Sequence, residues 1–415
     1  MLPNEAQKIL AGLRRYIRLQ GNLKITETCF KNDNGIFHRL VLLSCYHKNG
    51  EKDRHQKDNK FRHRFLQKGT KVAKKHFPAK CFLAMELGME GLILAIVILG
   101  LVFDYTNGFH DAANVVSTVI ATRVLAPMSA IVMAGVLNFI GATQISGVAQ
   151  TIATGLVDAQ DATQIVVLAA VVGAIAWNLI TWYFGIPSSS SYALIGGLVG
   201  AAWIHQGIET IIWRGVIGKV IIPMIVTPLI GFIIAFLIMK GLYFYLNRKK
   251  EAHGHDLFRH LQIGSACFVA LSHGLNDAQK SMGIITLGLF AGGYLTTTEI
   301  PFWVIMACAL VMGLGTATGG FRIIKTMAFS ITKIEPAQGF AAETSASIVI
   351  LTASFLGMPI SSTHMIAGSI TGVGTAKSHK AVSWQVPLKF VLAWVLTLPG
   401  AAFVGALAYL TATAI

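Results

Sequence analysis

Apolar residues run in long blocks divided by short polar breaks. The blocks fall at about 91–121, 127–152, 163–185, 211–246, 263–293, 301–320, 341–357 and 384–413. A helix needs about 20 mainly apolar residues to cross a bilayer, so these blocks predict membrane-spanning helices. Two shorter blocks, 188–204 and 360–376, are rich in Ser and Gly and follow a proline. They are too short to cross comfortably and predict re-entrant hairpins or broken helices. Block 211–246 is too long for one span and holds Pro223 and Pro228, so a break into two pieces is expected there. The pattern predicts an all-α integral membrane protein with about ten to twelve membrane segments. The most polar connection, 247–262, begins Asn247-Arg248-Lys249-Lys250-Glu251. Its basic residues put it on the cytoplasmic side. It divides a first membrane unit, 85–246, from a second, 263–415.

Composition agrees. Hydrophobic residues make up 54% and charged residues 13%, against roughly 25% charged in a soluble domain. The mean hydropathy is +0.61. The net charge of +15 lies almost wholly in residues 1–84, which hold 19 Lys and Arg against 6 Asp and Glu. Three readings compete for that segment. It is a tail attracted to anionic lipid or nucleic acid, a poorly ordered extension, or sequence that is not translated, with synthesis starting at Met85 or Met89. No secretory signal peptide is evident. Neither a phosphate-binding Gly-rich loop nor a nucleophile elbow occurs, so ATP drive and hydrolase chemistry are not expected. The five cysteines show no metal-ligand spacing, and no disulfide is expected.

Two motifs occur twice. Asn107-Gly108-Phe109-His110-Asp111-Ala112 is echoed by His273-Gly274-Leu275-Asn276-Asp277-Ala278, an offset of 166. Gly185-Ile186-Pro187-Ser188-Ser189-Ser190-Ser191-Tyr192 is echoed by Gly357-Met358-Pro359-Ile360-Ser361-Ser362-Thr363-His364, an offset of 172. Glycines follow in step, Gly196 and Gly200 against Gly368 and Gly372. Two motifs in the same order at nearly one offset point to internal duplication. A carboxylate at membrane depth costs about 2.5–3.5 kcal/mol on insertion scales and marks a functional site by default.

The Pro-Ser-Ser runs predict helix starts. A helix N-terminus presents unpaired N–H groups and a partial positive charge, which suit an anion. Ser188, Ser189, Ser190, Ser361, Ser362 and Thr363 add hydroxyl donors, and two such ends make a cradle for a small tetrahedral oxyanion. The competing reading has these small residues only easing helix packing. Bare carboxylates at Asp111 and Asp277 would repel an anion, so each must carry a proton or hold a cation. That requirement predicts cation-coupled symport, with H⁺ or Na⁺ entering alongside the anion. Asn107, Asn114, Asn276 and Gln279 are neutral oxygen donors for a hard cation, and a Na⁺ site at Asp111 and Asp277 is one outcome. Gly108 and Gly274 are expected to permit unwinding that frees carbonyls for the same purpose. His110 is placed to relay a proton. Glu343 is a further candidate cation group. Lys280 offers Asp277 a competing structural ion pair. His273 and His364 have weaker claims, and Asp104 lines an access path or sits near the surface. Arg322 and Lys325 read as interfacial anchors first and anion attractors second.

At these residues the chain resembles the inorganic phosphate transporter family (PiT), over about residues 91–413. Four motifs in order carry the resemblance, and the Phe-His-Asp form is most similar to bacterial low-affinity members. The resemblance implies two inverted repeats, substrate held between hairpin tips, and a homodimer in the bacterial cytoplasmic (inner) membrane. It implies proton coupling, with phosphate carried free or as a neutral divalent-metal complex. It puts the phosphate contacts on Ser189, Ser190, Ser361 and Ser362. Two positions depart from the family pattern. Tyr192 stands where His is frequent, and Ser362 where Thr is usual. A basic N-terminal tail also sits badly with the outside N-terminus that the family implies. The expected partners are inorganic phosphate and membrane lipid, without nucleic acid, and no cofactor is expected beyond the coupling ion. A sulfate symporter on the same scaffold is the near alternative, a channel a more distant one, and an enzyme the least supported.

Overall fold

The computed structural model describes residues 79–186, 188–249, 254–319 and 321–414. Most of the basic segment 1–84, Pro187, the middle of the connection 247–262 and Gly320 lie outside the described residues. The first half holds six helices. They are α1 (Ala79–Ala121), α2 (Pro127–Ala142), α3 (Gly147–Thr154), α4 (Gln164–Tyr183), α5 (Ser190–Gln206) and α6. Helix α6 starts as Trp213–Val216, passes through a π-helical turn at Ile217–Ile221 and continues as Ile222–Lys249. The second half holds α7 (Gly254–Ala291), α8 (Phe302–Thr318), α9 (Phe321–Phe329), α10 (Pro336–Phe355), α11 (Ser362–Lys377) and α12 (Gln385–Ala414). Among the described residues no strand forms beyond one isolated bridge, Val157 to Ile211.

The order of lengths recurs. Helices of 43, 16, 8, 20 and 17 residues lead to α6. Helices of 38, 17, 9, 20 and 16 residues lead to α12. Packing recurs with it and crosses between the halves. α12 lies on α5 while α6 lies on α11; α1 packs on α8 while α7 packs on α2. The matched glycines are the contact points. Gly196 and Gly200 of α5 meet the backbone of Leu398 and Ala402, and Gly368 and Gly372 of α11 meet the backbone of Pro228 and Phe232. Small residues bring helix backbones close, which is how helices associate where no hydrophobic difference drives them together.

Among the described residues four helical stretches are long and apolar enough to cross a membrane: Glu90–Ala121, Gln164–Tyr183, Trp213–Leu246 and Gln385–Ala414. The expected block 127–152 is two helices, α2 and α3, bent by 68° at their break, and together they make a fifth candidate. The other helices are shorter or carry polar residues inward. Exposed stripes such as Ile225, Leu229, Ile233 and Leu237 on α6, and Leu388, Leu392, Val395 and Leu396 on α12, form an apolar outer face suited to lipid.

Two sequence expectations fail for a physical reason. Helix α6 is not broken at its prolines. The π turn at Ile217–Ile221 widens the backbone just before Pro223, and Pro228 sits inside a continuous helix. Nor do α1 and α7 unwind at Gly108 and Gly274, since both helices run straight through. The two glycines allow close approach instead. A Cβ on Gly108 would lie 2.7 Å from the Met312 carbonyl of α8, and one on Gly274 would strike the Asn138 carbonyl of α2.

Candidate functional site

Helices α4 and α5 form one hairpin, and α10 and α11 form another. Each turn opens on a glycine with positive φ, Gly185 at 65° and Gly357 at 64°, where a side chain would be strained. Each second helix starts on a serine cap. Ser189 Oγ accepts from the Tyr192 N–H at 3.2 Å, and Ser361 Oγ from the His364 N–H at 3.3 Å. The tips are buried inside the protein, Ser188 to Ser191 and Ile360 to Thr363 alike. They also touch. Ser191 Oγ donates to the Ile360 carbonyl at 3.1 Å, and the rings of Tyr192 and His364 meet edge-on at 5.1 Å. Two helix N-termini thus end at one interior place.

The aspartates come to the same place from α1 and α7. Ser190 donates to Asp111 Oδ2 at 2.7 Å and also to Asn107 Oδ1. Ser362 donates to Asp277 Oδ2 at 2.8 Å. The second tip also reaches the first aspartate, with Thr363 Oγ1 3.3 Å from Asp111 Oδ1. Asn114 Nδ2 donates to Ser362 at 3.2 Å and to Thr363 at 2.9 Å. His110 Nδ1 lies 2.9 Å from Asp111 Oδ1. On its other side His110 Nε2 is 3.5 Å from Thr181, which receives the Ser188 hydroxyl at 2.8 Å. Asp111, His273 and Asp277 offer ligand atoms within 4.8 Å of one another, a group able to hold a cation.

The two halves differ in charge at this place. Lys280 Nζ is 2.5 Å from Asp277 Oδ1 and 2.9 Å from the Ile360 carbonyl, and it also donates to Ser191. His273 Nε2 is 3.0 Å from Asp277 Oδ2. Asp277 therefore has a fixed ammonium beside it, as the competing ion-pair reading held. Asp111 has no such partner, because the position matching Lys280 at the offset of 166 is Asn114.

Three predicted residues lie apart from this cluster. Gln279 Oε1 accepts from the N–H groups of Val148 at 2.8 Å and Ala149 at 3.1 Å, so it caps α3. Asn276 Nδ2 holds the second hairpin turn through Ser354 at 2.9 Å and the Met358 carbonyl at 3.2 Å. Glu343 sits in its own buried nest, accepting from Thr118 at 2.6 Å, Gln262 at 3.1 Å and Ser265 at 2.5 Å. Ser188 faces Thr181 rather than the aspartates. Lys325 is exposed on α9. Sequence reasoning missed Thr181, which ties His110 to the first tip and gives no local signal. It underrated His273, although the offset of 166 matches that residue to Asn107 of the first motif.

Comparison with known proteins identifies the family. Residues 107–405 match the phosphate transporter family. A protein of Rhizobium meliloti named probable low-affinity inorganic phosphate transporter is 45% identical over 323 residues, 77% of this chain and 96% of its own length. A protein of that name from Bacillus subtilis is 44% identical, over 77% of this chain and 96% of its own length. Among solved structures, the sodium-dependent phosphate transporter superposes with a TM-score of 0.71 at 25% identity, covering 78% of this chain and 100% of that one. The chain belongs to the phosphate transporter family. It is an all-helical, multi-pass membrane transporter and not an enzyme.

Proposed function

We propose that this member of the phosphate transporter family is a secondary active symporter that takes up inorganic phosphate together with protons. One observation carries the reading. Two serine-capped helix N-termini meet in the interior, and the next hydroxyl on each, Ser190 and Ser362, bonds the aspartate of its own half, Asp111 and Asp277. Ser189, Ser190, Ser361, Ser362 and Thr363 are the phosphate contacts in this reading. Hydroxyl and N–H donors hold the anion, and the Lys280 ammonium nearby is paired with Asp277, which keeps release possible. A protonated phosphate oxygen can donate to Asp111, and sulfate has no such proton. The repeated helix order supports two inverted repeats, 85–246 and 263–415, rocking about this place. The bacterial relatives support the inner membrane as its location, and a homodimer is the expected assembly.

The coupling ion follows from charge. Lys280 already provides the cation beside Asp277. Asp111 has His110 next to it, and His110 continues to Thr181. Such a chain passes protons. Sodium is the second reading, favoured by the grouping of Asp111, His273 and Asp277 and by the likeness to a sodium-dependent phosphate transporter.

Purified protein in proteoliposomes tests both. Labelled phosphate is expected to accumulate when the lumen is made alkaline, and not when an inward sodium gradient is imposed at equal pH. Accumulation with sodium alone overturns the proton reading. Parallel runs with and without Mg²⁺ separate free phosphate from a metal complex. Uptake of sulfate but not phosphate overturns the substrate.

A further inference from the structure

Helix α1 carries another carboxylate that the cleft does not use. Asp104 lies seven residues before Asp111, two helical turns or roughly 10 Å along the axis. Its side chain is completely buried, not near the surface. Ser281 of α7 donates to its Oδ1 at 2.6 Å. Among the described residues no donor reaches Oδ2.

No cation bonds Asp104 among the described residues, and the nearby ammonium is already paired. The groups acting on Asp104 are Asp277 and Lys280 of α7 and Cys308 of α8. Asp277 is anionic, and Lys280 is already committed to Asp277, Ser191 and the Ile360 carbonyl. Helix α4 also packs on α1 and brings no titratable residue on its buried face. An isolated ionised carboxylate in such a place is so costly that the group neutralises instead. The acid form fits the same geometry. Its Oδ1 accepts from Ser281 and no cation is needed; the hydrogen on Oδ2 meets no acceptor among the described residues, a smaller cost than an unpaired buried charge. Asp111 and Asp277 differ, since each has several donors on its oxygens.

We propose that Asp104 is a proton-carrying site of the transport cycle, protonated when the α1–α7 seam is closed around Ser281 and deprotonated when that seam opens to water. The proton arrives from external water onto the carboxylate and leaves to cytoplasmic water, which restores the carboxylate for the next turn. This rests on the proton-coupled reading above and adds a carrier outside the phosphate cleft.

The test follows phosphate uptake and phosphate-dependent proton influx together, with the full chain in proteoliposomes. Asp104→Asn keeps the shape of the acid and cannot ionise. In the flux that remains, about one proton fewer is expected per phosphate, and accumulation driven by a given pH gradient is reduced. A wild-type proton-to-phosphate ratio in the variant overturns the assignment. Absence of proton influx in the unaltered protein overturns proton coupling itself, so the two failures are told apart. If Asp104→Asn does not insert, infrared spectroscopy of the unaltered protein and Ser281→Ala decides. A protonated-carboxyl band that shifts when the Ser281 hydroxyl is removed supports the proposal, and an unshifted spectrum overturns it.

Discussion

The Ser190 hydroxyl donates to Asp111 across the gap between α5 and α1 at 2.7 Å. Ser362 and Asp277 repeat the relation at 2.8 Å between α11 and α7. A serine at each helix tip therefore bonds an aspartate, and in the proposed reading it also faces the anion. A hydrogen bond to a charged group contributes about 1.5–3 kcal/mol, and about 1.4 kcal/mol is tenfold in affinity. Ser190→Ala and Ser362→Ala are each expected to raise the half-saturating phosphate concentration roughly tenfold or more. Uptake kinetics check this, and an unchanged value in both variants removes these serines from the anion site.

Neutralising the aspartates tests the coupling directly. Asp111→Asn keeps the side-chain shape and removes the carboxylate that faces Ser190, Thr363 and His110. Accumulation of labelled phosphate against its gradient is expected to be lost. Asp277→Asn is expected to do the same and also to strand Lys280. Wild-type accumulation by either variant would sink the coupling argument.

Lys280 and Asp277 are both buried, so their pair has a stability signature. Removing one partner of a buried pair costs about 3–5 kcal/mol, because the other charge is left uncompensated. Lys280→Gln is expected to lower the melting temperature sharply. The double variant Asp277→Asn with Lys280→Gln is expected to recover part of that loss, and a double-mutant cycle reads the coupling. Additive losses would mean that the two side chains do not depend on each other.

The helices and the capped hairpin tips were legible in the sequence because they rest on repeated, local signals. The apolar blocks predict spans, and the Pro-Ser-Ser runs predict caps, which Ser189 and Ser361 provide. Partner choice was less legible. Nothing near Gln279 in the chain announces the N–H groups of Val148 and Ala149, about 130 positions away. Glu343 draws its three donors from two distant segments, Thr118 of α1 and Gln262 and Ser265 of α7. Gly108 and Gly274 look like sites of unwinding by sequence, and only the neighbouring helices reveal that they make room for carbonyls.

The close helix crossings predict a different kind of lesion. A Cβ at Gly200 would strike the backbone of Ala402, and one at Gly372 the backbone of Phe232. Backbone cannot swing aside as a side-chain end can. Overpacking of this kind costs typically about 1–3 kcal/mol. Gly200→Ala and Gly372→Ala are expected to lower thermal stability by similar amounts, while the protein that folds keeps its half-saturating phosphate concentration. A shift in that concentration without a stability loss would tie the crossings to substrate binding instead.

Gln279 separates a structural amide from a coupling one. By position, two residues after Asp277, it looks like a cation ligand. In the fold its carboxamide oxygen takes two N–H groups from the first turn of α3, and its Nε2 donates to the Leu275 carbonyl at 2.5 Å. The amide is thereby committed at both ends. Gln279→Leu fills similar space and leaves the two α3 donors unpaired, at about 1–3 kcal/mol for each buried group. The variant is expected to melt at a lower temperature, and its ratio of protons to phosphate is expected to match the unaltered protein. The alternative makes the opposite prediction. If Gln279 served the coupling ion, the ratio would change while the loss of stability stayed small.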